Sequence, residues 1–338
     1  MKASLLKTAV LAAAVCVCGT AFAADIDVTA LKHRVDAKDA PVVYMTTDIS
    51  PAGFMRAYEA LNRIPSGKVA VKLSTGEAGN THYLQPSLIK DVVSKVNGTI
   101  VECNTAYGGS RAQTAMHMQV AKDHGFTEIA DVDIMDADGS MEIPVEGGTF
   151  LKTNLVGKNM ANYDFMVVMS HFKGHAMGGF GGALKNISIG VASADGKFKI
   201  HSGGTIDKMD SWGALGAYGK NSGKEHDSFI ASMAEAAKSV YDYYDHGNKM
   251  LFISVMNNLS VDCDCDGNPS EPDMHDIGIL ASLDPVALDQ ACIDLVYAAP
   301  DSQSLIERIE SRNGLLILDH AEEMGFGHRN YQLVSLDK

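Results

Sequence analysis

The amino-acid sequence predicts an α/β protein with a mostly parallel, helix-covered sheet in two lobes. Two observations carry this. From Pro41 onward, short apolar runs alternate with stretches of helical periodicity, the pattern of a parallel sheet with helices on its faces. Three polar clusters follow three of the apolar runs, "STGEAGNTH", "SHFKGH" and "DCDCDG". In open α/β sheets ligands bind beyond the carboxyl ends of the strands, so the three clusters are expected to form one site.

The elements follow in order. "VVYMT" (Val42–Thr46) and "VAVKLS" (Val69–Ser74) read as strands, with "SPAGFMRAYEALNRI" as the helix between them. "PSLIKDVVSKV" opens with proline and reads as a helix, and "TIVECN" is the next strand. "SRAQTAMHMQVAKDHG" predicts a helix capped by Ser110 and ended by Gly125. "DFMVVMSHF" is a strand that runs into a glycine-rich segment, and a lobe boundary is expected near 140–160. "FIASMAEAAKSVYDYY" places Ile230, Met233, Ala234, Ala237, Val240, Tyr241 and Tyr244 on one helical face. "MLFISVMNN" is a strand that ends before "VDCDCDG". "IGILAS" is another, followed by a helix with Asp284 as N-cap and Pro285 in its first turn. The glycine-rich stretch around Trp212 reads as a loop or lid.

The first residues point to export. Met1 to Ala23 has a basic start at Lys2 and Lys7, the apolar run "AVLAAAVCVCG", and "AFA" before "AD", a signal peptide with its cut near Ala23. Residues 24–40 then form an N-terminal extension, and 41–338 the α/β region. The apolar run is too short for a lasting membrane anchor, and no later segment reads as a membrane span. The formal charge of the whole chain is −14. Cleavage removes two lysines and no acid, leaving 26 basic against 42 acidic residues, a charge of −16. So acidic a surface repels phosphate backbones and excludes nucleic acid as the partner.

Four cysteines remain, Cys103, Cys263, Cys265 and Cys292, too few for a disulfide scaffold in so long a chain. Cys263 and Cys265 are two residues apart, an awkward spacing for bridging to each other. Cys292 lies on the apolar face of its helix and reads as core, whereas Cys103 ends a strand and reads either way.

"SHFKGHAMGGFGGALKNISIG" sets His171, Lys173, His175 and Lys185 among six glycines, Gly174, Gly178, Gly179, Gly181, Gly182 and Gly190. Glycine is costly to order, so its concentration points to close backbone approach or positive φ. If the strand continues through them, His171, Lys173 and His175 share one face and could ligate a metal, move a proton or bind an anion. The plain alternative is a polar surface loop. The glycine spacing matches neither the dinucleotide fingerprint nor a Walker loop. "DCDCDGNPSEPD" has competing readings. Asp262, Asp264, Asp266, Gly267 and Asp273 fit a calcium-loop template, although Pro269 and Pro272 are poor in it. Cys263 and Cys265, with His275, are soft ligands for zinc or iron. A solvated acidic loop is the third. Glu77, His82 and Arg111 are candidates to bind an anionic group.

These motifs, with "PDMHDIGILASLDPVALDQA", resemble the domain-of-unknown-function family 362 over roughly Val42 to Ala298. Members are often named iron–sulphur centre proteins; this chain has no C-x-x-C-x-x-C run, so ferredoxin-type cluster sites are absent. The stretch from His175 through "GGFGGALK" to His201 is similar, more distantly, to the glycine-rich segment of nickel-pincer lactate racemases. That resemblance implies His175 as acid/base, Lys185 as the tether of a nickel-bearing pyridinium cofactor and His201 as nickel ligand. Gly178, Gly179, Gly181 and Gly182 would close over the flat cofactor, with Arg111 in the binding region. The histidine that family places beside the arginine is missing.

Three functions are therefore expected in competition. The first is an exported metal-centre protein holding iron, zinc or nickel through Cys263, Cys265, His171, His201 and His275. The second is a cofactor-tethering racemase-like enzyme acting on a small hydroxy acid through His175 and Lys185. The third is a binding protein with a structural calcium loop. A small anionic molecule or a redox partner is the expected associate.

Overall fold

The structure, a computed structural model, describes residues 26–206 and 223–337. The expected signal peptide and the loop or lid expected around Trp212 fall outside the described residues. The strands are β1 (Val42–Thr46), β2 (Val69–Lys72), β3 (Gly98–Glu102), β4 (Val132–Ile134), β5 (Ser140–Pro144), β6 (Thr153–Gly157), β7 (Phe165–His171), β8 (Lys173–His175), β9 (Gly179–Gly181), β10 (Met250–Met256), β11 (Gly278–Ser282) and β12 (Gln332–Ser335). Eight of them form one sheet in the order β12-β1-β11-β10-β7-β2-β3-β4. Every pairing is parallel except the two made by β11. Residues 140–157, in the region where a lobe boundary is expected, contain the antiparallel β5–β6 pair, which stands outside this sheet. The sheet itself continues across it, because β7 pairs with both β2 and β10.

Both faces of the sheet are covered, as the uninterrupted apolar strands require. Along β7, Phe165, Val167 and Met169 enter one core, and Met166 and Val168 enter the other. β10 divides in the same way, Leu251, Ile253 and Val255 against Met250, Phe252 and Met256. Helices α1 (Pro51–Ala60) and α2 (Pro86–Lys95), with Ala121 of α3 (Thr114–Asp123), cover the first face. On the second lie α4 (Ala183–Ser188), α5 (Ala194–His201), α6 (Lys224–Tyr243), α7 (Pro285–Ala298), α8 (Gln303–Ser311) and α9 (Leu316–Glu323).

Local sequence sets most of these boundaries. Ser50 caps α1 by accepting from Gly53 N, and the Asp284 carboxylate caps α7 by accepting from Val286 N and Ala287 N. α3 departs from expectation. It starts at Thr114 rather than after Ser110, because Ser110 N donates to Glu77 and Arg111 turns inward to Glu77 and Glu102. Gly125 does end that turn, in the left-handed region. β7 also stops earlier than expected. Lys173 and His175 belong to a separate two-stranded ribbon, β8–β9.

Along the sheet, β2, β3 and β4 advance one way from the β7–β2 junction while β7, β10 and β11 advance the other. Such a reversal opens a crevice at the carboxyl ends of the strands. The polar clusters after β2, β7 and β10 converge on it.

Candidate functional site

A cavity of about 80 Å³ opens at this junction, lined by Ser74, His171, Gly181, Lys185, Cys263 and Cys265 among others. A wider one of about 320 Å³ lies on the other side of the two cysteines, beside Glu77, Tyr107, Gly108 and Asp262. The cysteines line both.

The loop that follows β10 is pinned by Asp264. Its carboxylate accepts from His171 Nδ1 at 3.1 Å and pairs with Lys173 Nζ at 2.9 Å, all three nearly dry. Its carbonyl accepts from Glu77 N at 2.8 Å. Burial by itself raises a carboxyl pKa, but His171 and Lys173 hold this one down to about 2. His171 Nε2 also donates to the Asn257 carbonyl at 2.7 Å. Both of its ring nitrogens therefore face acceptors, and neither directs a lone pair at a metal. His275 is engaged at Nδ1 alone, 2.7 Å from Asp301 Oδ1, and stands outside the cysteine cluster. The calcium template is not formed. Asp262 is taken by Arg308 and Ser270, Asp264 by His171 and Lys173, and Asp266 accepts from Asn268 N. Asp262 and Asp264 are already neutralised by protein cations, and among the described residues Asp266 and Asp273 are not gathered with them into a carboxylate cluster.

Cys263 and Cys265 are joined as a disulfide, Cα to Cα 5.3 Å, against the expectation from their spacing. The turn pinned at Asp264 brings the two Cα atoms into the range a disulfide spans. His175 offers a third donor atom, and the three donor atoms lie within 4.8 Å of one another. Cys103 and Cys292 are free and buried; burial pushes the Cys103 thiol up to about 12, and Cys292 packs in the core as expected.

The positive charge of Lys185 acts on both His175 and His201. His175 Nδ1 accepts from Gly178 N at 2.7 Å and Met177 N at 3.3 Å, which leaves the proton of the neutral ring on Nε2. Burial first, then the charges of Lys185, His201 and Arg308, push its pKa well below the usual histidine value. His201 has the opposite arrangement. Its Nδ1 donates to the Lys197 carbonyl at 2.6 Å, so the lone pair is on Nε2, and burial with the Lys185 charge lowers it to about 4.

Lys185 is half-buried, and burial with the Arg111 charge brings its amine down to about 8. No hydrogen bond or ion pair engages that amine among the described residues. Its helix is fixed from two sides. Asp289 of α7 accepts from Ala183 N and Leu184 N at 2.7 and 2.9 Å, capping α4 from a distance. Burial raises Asp289 to about 7 in spite of these bonds. Asn186 donates to Ser170 Oγ and accepts from Lys72 Nζ at 2.8 Å, tying α4 to β7 and β2.

The glycines answer to protein more than to ligand. A Cβ on Gly174 would lie 2.4 Å from the Val261 carbonyl oxygen, and one on Gly182 would lie 2.3 Å from Asp289. Gly179 takes φ +79° against Gly314, and Gly178 approaches the His175 ring. At Gly181 the position is open, with Lys185 Cδ at 3.5 Å. Arg111 is not a free anion binder either; it is buried and paired with Glu77 and Glu102, each at 3.3 Å. His82 Nε2 faces Glu271 at 3.6 Å.

Sequence reasoning missed the polar floor of the site. Glu102, the last residue of β3, accepts from Thr75 N and pairs with Arg111 and His117. Despite its burial, those cations and Lys72 hold it far below the carboxylate range. Lys72, the last residue of β2, is buried and lowered to about 8. Charged residues closing otherwise apolar strands were the available signal.

The model of the domain of unknown function DUF362 matches residues 69–294, well over half of the chain. The chain belongs to the DUF362 family. No curated protein matches it. Among solved structures it is similar to a lactate racemase apoprotein from Thermoanaerobacterium thermosaccharolyticum, with 12% identity, a TM-score of 0.42, and 88% of this chain and 83% of that one covered. It is also similar to a Thermotoga maritima protein, with 12% identity, a TM-score of 0.43, and 75% of this chain covered. The match spans 58% of that second protein, less than two thirds of its length. The site of this DUF362 protein falls largely inside the matched residues. No helix among the described residues is long and apolar enough to cross a membrane.

Two outcomes are expected. Gly174→Ala should cost about 1–3 kcal/mol in urea unfolding because rigid backbone stands in the way, whereas Gly181→Ala should change stability by less than about 1 kcal/mol. Asp264 has a depressed pKa, so its stabilisation is present above pH 3.8 and is lost as pH falls toward about 2. The stability difference between wild type and Asp264→Asn should be about 3–5 kcal/mol at pH 7, with Lys173 left buried and unpaired, and should narrow through that window. A difference independent of pH would show that the carboxylate charge is not what pins the loop.

Proposed function

We propose that this DUF362 protein is exported and holds a soft or borderline transition-metal ion through Cys263, Cys265 and His175 at the carboxyl ends of β2, β7 and β10. The observation that carries the reading is the approach of these three donor atoms to within 4.8 Å of one another in a sheltered site. Two thiolates and an imidazole suit zinc, iron or nickel better than calcium or magnesium. In this reading the cysteines bind in the reduced state, since thiolates and not disulfide sulfurs are the ligands. The low basicity of His175 keeps the ring neutral, the form that ligates.

Three protein ligands leave a coordination position open to the cavity. Lys185 borders that cavity, with Lys72 behind it, which favours a small anionic molecule as the associate. The basic and apolar pattern of Met1 to Ala23 supports export. Metal analysis of the protein purified anaerobically from its native host should give one ion per chain, lost in the Cys263→Ser, Cys265→Ser double variant. Unchanged metal content in that variant would sink the reading.

A second reading has one observation in its favour. Lys185 presents an amine of pKa about 8 that no hydrogen bond or ion pair engages among the described residues, and its charge acts on His175 and His201. These are the groups that a tethered nickel-bearing cofactor would use. The donors fit, but the room does not. Protein atoms occupy the space beside Gly178, Gly179 and Gly182 that the flat ring would need. The metal reading therefore leads. An adduct on Lys185 in the intact mass of natively isolated protein would reverse that order.

A further inference from the structure

We propose that Cys263 and Cys265 form a redox-active dithiol–disulfide couple that exchanges electrons with small thiols through the 320 Å³ cavity. Thiol exchange needs an accessible sulfur, a leaving sulfur that can carry negative charge, and space for an incoming thiol. Cys265 is half-buried and borders both cavities, whereas Cys263 is 9% exposed. Cys265 is therefore the sulfur under attack. Cys263 Sγ already accepts from Cys265 N at 3.3 Å, a contact that would stabilise its thiolate as it leaves. Lys185 lines the same narrow cavity and adds positive charge there.

The reaction balances in two steps. A thiolate attacks Cys265 Sγ, the disulfide breaks, and Cys263 leaves as a thiolate while a mixed disulfide forms on Cys265. A second thiolate attacks the sulfur of the bound small thiol and releases Cys265 as a thiolate. The sum is one protein disulfide plus two thiols giving one protein dithiol plus one small disulfide, with two electrons passed to the protein. The reverse reaction oxidises the pair.

The inference depends on the metal reading in one consequence only. The same two sulfurs serve as disulfide partners and as metal donors, so oxidation empties the metal site and reduction by thiols arms it. The couple itself stands without the metal.

The test is alkylation of the native full-length chain followed by peptide mass mapping, before and after treatment with glutathione, with cadmium titration of each form. Buried Cys103 and Cys292 are the internal controls and should remain unlabelled throughout. Air-oxidised protein should carry no label on Cys263 or Cys265, and glutathione-treated protein one on each. Cys263→Ser should accumulate a mixed disulfide on Cys265 with oxidised glutathione faster than Cys265→Ser does on Cys263. Equal labelling of both cysteines before and after thiol treatment would overturn the couple, whether or not cadmium binds. A disulfide that yields to glutathione only after denaturation would overturn it as well. Reversible labelling with one cadmium bound to the reduced form alone supports both proposals. Reversible labelling with no cadmium bound by either form supports the couple and removes the metal reading.

Discussion

The buried cluster of Asp264, His171 and Lys173 is the interaction on which the site depends. One carboxylate joins the end of β7, the β8 ribbon and the loop after β10, and its backbone carbonyl holds the loop after β2 through Glu77. The stretch from β7 into β8 and the loops after β2 and β10, three segments far apart in sequence, are thereby joined at one residue. Because Asp264 lies between Cys263 and Cys265, pinning it inward sets both flanking sulfurs at the boundary of the two cavities. Breaking such a cluster on one side leaves an uncompensated charge in a dry place, which is why its members act together.

A second constraint is the handling of positive charge. Lys72, Lys173, Lys185, Lys197 and Arg111 gather at the strand ends of a chain whose formal charge is −14. Glu102 and Glu77 neutralise Arg111, Asp264 neutralises Lys173, and Lys72 is satisfied by the Leu73 carbonyl and Asn186. Lys185 is the cation left facing open space among the described residues. Its surroundings lower the cost of losing its proton, so near pH 8 it is divided between ammonium and free amine.

The glycine-rich segment has a structural explanation. Gly174, Gly179 and Gly182 let β8, β9 and the start of α4 pack against Val261, Gly314 and Asp289 at distances no Cβ permits. This packing aims Lys185 and His175 at the cavity. The segment is rich in glycine because it is crowded by the protein itself, and only Gly181 faces free space.

How much was legible in the sequence follows from how local each determinant is. Strand and helix identity, the caps at Ser50 and Asp284 and the core role of Cys292 came from periodicity and neighbouring residues, so the sequence sufficed for them. Convergence of the clusters after β2, β7 and β10 was inferable as well, since parallel strands bring their carboxyl ends to one edge. The approach of His175 to Cys263 and Cys265 was not legible, since those residues lie almost ninety positions apart. The partners of His171, His275, Asp262 and Arg111 were not, because each is chosen by a residue tens of positions away. The start of α3 moved for the same reason, Glu77 drawing Ser110 and Arg111 out of the helix. Sequence alone determined which elements exist and at which edge of the sheet chemistry gathers. Tertiary structure decided which charged side chains are spent on one another and which remain available, because pairing in a dry interior depends on distance in space rather than along the chain.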